Sequence, residues 1–131
     1  MRGLDTNILV RYLTRDDEQQ WQQAESYINA TLTAEETCFI SNIVLCELIW
    51  VLRSAYRIPR EELIIALEKI LRTSHFDFED KAAIWKAFQQ FQKGKADFSD
   101  YLIGQVNHQA GCSETATFDA KLKNAEGFCL L

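Results

Sequence analysis

Five carboxylates interrupt apolar or small-residue stretches of this 131-residue chain: Asp5, Glu47, Asp97, Asp100 and Asp119. The sharpest case is Ile-Val-Leu-Cys-Glu-Leu-Ile-Trp-Val-Leu at 43–52, where Glu47 is the only charge in a run expected to be buried. A buried carboxylate without a partner is costly, so it calls for a compensating group. Acids delivered by separate segments of a chain are the raw material of a cation site.

Each acid also has a structural reading. Asp5, ahead of Thr6-Asn7, suits an N-cap or Asx turn, and Asp119 opens a short helical turn in the same way. Asp97 and Asp100, in Asp-Phe-Ser-Asp, have the spacing of an N-cap and the third helical residue, a variant of the capping box. Caps do not occur in mid-helix, so the alternative for Glu47 is a core ion pair with an arginine.

Taken together, four independent elements deliver acids, three of them near a helix start. Collected at one place, such groups would repel by up to ~4 kcal/mol per close pair at an effective dielectric near 20, and divalent cations would relieve that repulsion. An all-oxygen donor set favours magnesium or manganese over zinc or copper. Acids holding these ions suit phosphodiester hydrolysis, in which metal activates water and stabilises charge on the attacking and leaving oxygens.

The elements that must position these groups alternate between short strands and helices. A strand at Met1–Leu4 leads into a helix through Ile8, Leu9, Tyr12 and Leu13, which places Asp5 at a strand's carboxyl end. A helix over about 18–32 and a strand at Cys38–Ile40 come next, and Ser41 or Asn42 caps the helix at 42–56 that carries Glu47. Ile58-Pro59-Arg60-Glu61 starts a helix ending near Ser74. A brief strand at 75–78 precedes a helix marked by Ile84, Phe88 and Phe91, which ends near Gly94. Leu102, Ile103, Val106 and Ala110 mark another, closed by Gly111. Strands at 114–116 and 128–130 flank the turn after Asp119. This alternation predicts an α/β fold with a short, mainly parallel sheet flanked by helices, in one domain spanning 1–131. Open parallel sheets gather functional groups at the carboxyl ends of their strands, where Asp5 and Asp119 fall.

Composition narrows the classes. Hydrophobic residues at 47% and charged residues at 25% are ordinary for a globular protein, and there is neither a long apolar span nor a signal-peptide pattern, so a cytoplasmic protein is expected. Cys38, Cys46, Cys112 and Cys129 form no C-x-x-C pair and read as buried free thiols, while His75 and His108 stand alone in surface or packing roles. The net charge of −5 argues against a large basic face for nucleic acid but not against a nuclease, because the chain is balanced without the five acids.

Four stretches carry a resemblance. Leu-Asp-Thr-Asn-Ile-Leu-Val-Arg-Tyr-Leu at 4–13, Ile-Ser-Asn-Ile-Val-Leu-Cys-Glu-Leu-Ile-Trp-Val-Leu at 40–52, Asp-Phe-Ser-Asp-Tyr-Leu-Ile-Gly at 97–104 and Thr-Phe-Asp at 117–119 resemble, in order and spacing, the PIN-domain ribonucleases. The closer likeness is to the VapC-like toxins of type II toxin–antitoxin systems. The resemblance implies a PIN-like three-layer fold over 1–131. It assigns Asp5, Glu47, Asp100 and Asp119 to an acidic site for Mg2+ or Mn2+, with Asp100 the better match than Asp97 because it directly precedes Tyr-Leu-Ile. Asp97 then becomes a cap or an outer-sphere acid. Asn7, Ser41 and Thr117 flank the motifs and become candidates for holding carboxylates or water. Arg11, four residues beyond Asn7, could reach a phosphate or form a surface ion pair.

The resemblance further implies an RNA substrate, a VapB-like antitoxin laid across the acidic site, and a homodimer, with no membrane association. The apolar girth of the helix at 42–56, which includes Trp50, suits a partner surface or a central core helix equally. Two rivals are weighed. A phosphoacceptor receiver domain would need paired acids after the first strand and a late strand-end lysine, and the chain has neither. A PIN-like RNA-binding or regulatory module with a weak metal site is disfavoured by intact acids at all four positions.

Overall fold

The computed structural model describes residues 1–131, which divide into two compact units, 1–79 and 80–131. In the first, three very short strands, β1 (Arg2–Gly3), β2 (Cys38–Ile40) and β3 (Phe76–Phe78), pair in that order, all parallel. Parallel neighbours need crossovers, and each here is a pair of helices. α1 (Thr6–Thr14) and α2 (Glu18–Thr33) link β1 to β2, while α3 (Asn42–Ser54) and α4 (Arg60–Leu71) link β2 to β3. Leu9, Ile28, Ile40, Leu45, Leu48 and Leu67 are fully buried, so the predicted helical stripes do face a core.

The helix starts are chemically marked. Asp5 caps α1, accepting the Thr6 N–H at 2.8 Å, and Ser41 caps α3, its Oγ accepting the Val44 N–H at 3.3 Å. Both caps directly follow strands, Leu4 excepted, so the sheet's carboxyl edge and the helix starts coincide.

The second unit holds α5 (Lys81–Lys93), α6 (Phe98–Gln109), β4 (Thr115–Thr117), a turn of 3-10 helix (Ala120–Leu122) and β5 (Phe128–Leu130). β4 and β5 form their own parallel pair, Thr115 opposite Phe128 and Thr117 opposite Leu130. The expected α/β class with short parallel strands flanked by helices therefore holds, with the hydrogen bonds running in two separate ladders. Two glycines make room for aromatic rings: a Cβ on Gly94 would lie 1.8 Å from the Tyr101 hydroxyl, and one on Gly104 would lie 2.7 Å from the Phe128 ring. The Tyr101 and Phe128 rings meet edge to face at 6.4 Å. The buried Tyr101 hydroxyl also accepts the Ala96 N–H at 3.3 Å, which fixes the link between α5 and α6.

Two expectations are corrected. The cysteines are free, but only Cys38 is buried; Cys112 is exposed, and Cys46 and Cys129 are half-buried. The region around 112 is a polar connection between α6 and β4, where a small hydrophobe has no core to enter. Glu47 is exposed, as are its helical neighbours Ile43 at 71% and Trp50 at 61%. Leu45, Leu48, Ile49 and Leu52 supply the buried side of α3, so the apolar run is wider than the core face and Glu47 lies on the remainder.

Arg11 ends in a polar network. Its Nε donates to Gln20 at 2.6 Å, and its Nη1 donates to Asp16 at 3.0 Å and to the Tyr56 hydroxyl at 3.3 Å. Tyr56 and Thr14 in turn donate to Asp16 at 2.7 and 2.9 Å. The Tyr56 hydrogen bond, then that of Thr14 and the Arg11 guanidinium, hold the Asp16 carboxyl below its usual range. A carboxyl lowered on folding stabilises the fold above its unfolded pKa of about 3.9, and that contribution is lost as pH falls through the folded value. Asp16→Asn should therefore melt below the wild type at pH 7, with the gap closing as pH falls below the ordinary carboxylate range in melting curves taken across pH.

Candidate acidic site

In the first unit, Asp5 and Glu47 are joined through one residue. Thr6 is 6% exposed; its N–H donates to Asp5 Oδ1 at 2.8 Å and its hydroxyl donates to Glu47 Oε1 at 3.2 Å. Thr6 opens α1, where a first-turn N–H has no intrahelical partner, so donation to Asp5 satisfies an orphan group. The hydroxyl then reaches from α1 to the exposed side of α3. The sequence reading passed over Thr6 in favour of its neighbour Asn7, which is exposed. The signal was present: in Asp-Thr-Asn, only the residue after the cap has both an amide and a hydroxyl at the helix mouth. Ser41 serves as the α3 cap, through Val44.

In the second unit, Asp97 and Asp100 form the anticipated capping box at the start of α6, with Asp100 Oδ2 accepting the Asp97 N–H at 3.1 Å. The amides of Ala96 and Asp97 thus donate in succession to Tyr101 and Asp100, and this sets the orientation of the Asp100 carboxylate. Asp119 caps the 3-10 turn: its Oδ1 accepts the Lys121 N–H at 2.9 Å, and its own N–H donates to Thr117 Oγ1 at 3.0 Å. Thr117 therefore holds the backbone of Asp119 rather than its carboxylate. Burial pushes the Asp100 carboxyl above its ordinary value. The charges of Asp97 and Asp119 push it the same way, against the Asp97 N–H and the Lys121 ammonium.

Each of the four acids thus receives a hydrogen bond on one oxygen, Asp5 Oδ1, Asp100 Oδ2 and Asp119 Oδ1 from nearby backbone N–H groups and Glu47 Oε1 from Thr6 on another helix. A carboxylate has further acceptor sites, and an orientation fixed at one oxygen sets the direction of the other. Within neither unit do three or more His, Cys, Asp or Glu side chains form a ready-made ion site. The donor chemistry nevertheless fits a hard divalent cation: the candidate donors are all oxygen, and Asp100 carries like-charge repulsion that a cation would reduce.

Arg11 is engaged by Asp16, Gln20 and Tyr56, so a phosphate would have to compete with Asp16 for its guanidinium. A cleft of about 690 Å³ in the second unit is lined by Lys86, Lys93, Tyr101, Glu114, Glu126 and their neighbours, and by none of Asp5, Glu47, Asp97, Asp100 and Asp119. Gln105 Nε2 donates to Gln90 Oε1, and Gln90 Nε2 to the Glu126 carbonyl, at 2.9 and 3.3 Å, so these polar walls are already tied to one another.

Residues 4–127 match the PIN domain family, and the chain belongs to that family. It is similar to the VapC ribonuclease of Aquifex aeolicus (strain VF5), with 27% identity over 123 residues that cover 94% of this chain and 90% of the relative. No helix is long and apolar enough to cross a membrane.

The bridge through Thr6 can be tested directly. Outer-shell partners of metal-binding carboxylates are typically worth about 10- to 100-fold in affinity or activity. Thr6→Val should weaken Mn2+ binding by about tenfold or more, and Thr6→Ser, which retains the hydroxyl, should restore it, as read by the electron paramagnetic resonance signal of free Mn2+.

Proposed function

We propose that this chain is a metal-dependent endoribonuclease, the toxin of a type II toxin–antitoxin pair, acting as one PIN domain over 1–131. The observation that carries the reading is that all four family-motif acids have one oxygen held by a hydrogen-bond donor. Carboxylates used only as caps would explain Asp5 and Asp119, but not an exposed mid-helix Glu47 aimed by a buried threonine. The similarity to a VapC ribonuclease supports the same reading.

In this proposal Asp5, Glu47, Asp100 and Asp119 hold Mg2+ or Mn2+. The bound ions would supply Lewis-acid stabilisation of the phosphoryl oxygens and a water acidified for attack. The protein's own part is positional. Thr6 orients Asp5 and Glu47, the amide of Asp97 orients Asp100, and Thr117 and the Lys121 amide set Asp119. Asp97 remains the cap of α6 rather than a ligand. Water attack on the phosphodiester leaves a 5′-phosphate and a 3′-hydroxyl.

A VapB-like antitoxin and a homodimer complete the proposed assembly in the cytoplasm. The support is the exposed apolar stripe of α3, where Ile43 and Trp50 flank Glu47; a protein segment covering that stripe would also cover an acid of the site.

Purified protein freed of antitoxin should cleave cellular RNA with Mg2+ or Mn2+, yield 5′-phosphate ends on sequencing, and stop on chelation. Asp5→Asn and Asp100→Asn should each lower the rate by about 100-fold or more, the usual scale for losing one electrostatic group at a reacting centre. Full activity in Asp5→Asn would assign the cleavage to another site or another protein.

A further inference from the structure

Phe118 is the most exposed large apolar side chain of the molecule, at 85%. It lies between Thr117 and Asp119, within one of the four motif stretches, and no capping or core role accounts for it. The ring is mounted on a braced turn. On one side Thr117 belongs to β4, its Oγ1 accepting the Asp119 N–H at 3.0 Å and its carbonyl accepting the Leu131 N–H at 2.9 Å. On the other, the Asp119 carboxylate and carbonyl accept the Lys121 and Leu122 N–H groups at 2.9 and 3.0 Å, and Leu122 is buried. A large apolar ring held out in water by fixed backbone, next to a carboxylate of the acidic site, is placed for a ligand.

We propose that Phe118 is a stacking platform for an unpaired nucleobase next to the phosphodiester being cut, with the exposed Lys121 meeting an adjoining phosphate. The inference rests on the ribonuclease reading and deepens it by naming a substrate contact. Single-stranded RNA is commonly gripped by bases stacked on aromatic side chains, with cations along the backbone. An acidic site gains little from added negative or hydrogen-bonding groups, whereas a neutral ring attracts a base without competing for metal. Lys121 is exposed on the same turn, its N–H donating to Asp119 Oδ1 at 2.9 Å, so a cation accompanies the ring beside that acid. A phenyl ring has no hydrogen-bonding edge, so the contact should tolerate every base.

The test is binding of a fluorescein-labelled eight-nucleotide oligoadenylate, and of its abasic counterpart, to Asp5→Asn protein in Mg2+ at fixed salt, read by anisotropy. Adding Phe118→Ala or Phe118→Leu should weaken oligoadenylate binding about fivefold or more, Phe118→Tyr should hold it within about twofold, and none should alter binding of the abasic strand. With Asp5 intact, Phe118→Ala should raise KM and leave kcat unchanged.

Equal affinity of the Phe118→Ala protein for oligoadenylate would overturn the platform, and so would Leu substituting fully for Phe. A Phe118→Ala protein that loses self-association in sedimentation yet binds RNA as before would assign the ring to a protein partner instead. If wild-type protein cleaves RNA while Phe118→Ala has an unchanged KM, only the stacking fails. If the wild type neither binds nor cleaves any RNA, the ribonuclease reading fails and the platform with it.

Discussion

The chemistry of this chain depends on holding carboxylates in fixed directions, and the holding is done by hydrogen bonds at helix starts. A helix opens with amide groups that have no partner within the helix, and its N-terminus favours negative charge. Asp5, Asp97, Asp100 and Asp119 all lie at such places, so the interaction that begins the helix also orients the acid. Glu47 is the exception by position and follows the same principle: its donor is the hydroxyl of Thr6, the first residue of α1. Capping occupies one oxygen of such a side chain and leaves the other for the metal binding proposed above.

That arrangement has an electrostatic consequence. Asp100 is partly buried and faces the like charges of Asp97 and Asp119, and its carboxyl is pushed upward accordingly. The cation of the proposed function would reverse that balance and would bring positive charge to a chain whose net charge is −5. The exposed position of Glu47 belongs to the same picture. An acid sealed in the core would need an internal partner, whereas one on the outer side of α3 is open to an ion and to a substrate.

Much of this was legible in the sequence because strands and caps are local. The strand at 38–40, the caps Asp5, Ser41 and Asp119, and the Asp97–Asp100 capping box all appear as read, since each follows from a few adjacent residues. What was not legible needs contacts distant in sequence. Apolar composition cannot say which side of α3 meets the core, so Glu47 read as buried when Leu45, Leu48, Ile49 and Leu52 occupy that side instead. The Thr6 to Glu47 bond spans 41 residues. Arg11 gave the same difficulty, because the pairing that engages it includes Tyr56, far along the chain. The division of the strands into two ladders could not be seen from strand positions alone, because pairing depends on tertiary register.

The proposed function rests most on the binding of a divalent cation by the motif acids. The most direct measurement is a titration of the full chain and its single variants with Mn2+, reading bound ion by electron paramagnetic resonance. Glu47→Gln and Asp119→Asn should each weaken Mn2+ binding. Mn2+ binding untouched by either substitution would contradict the proposal.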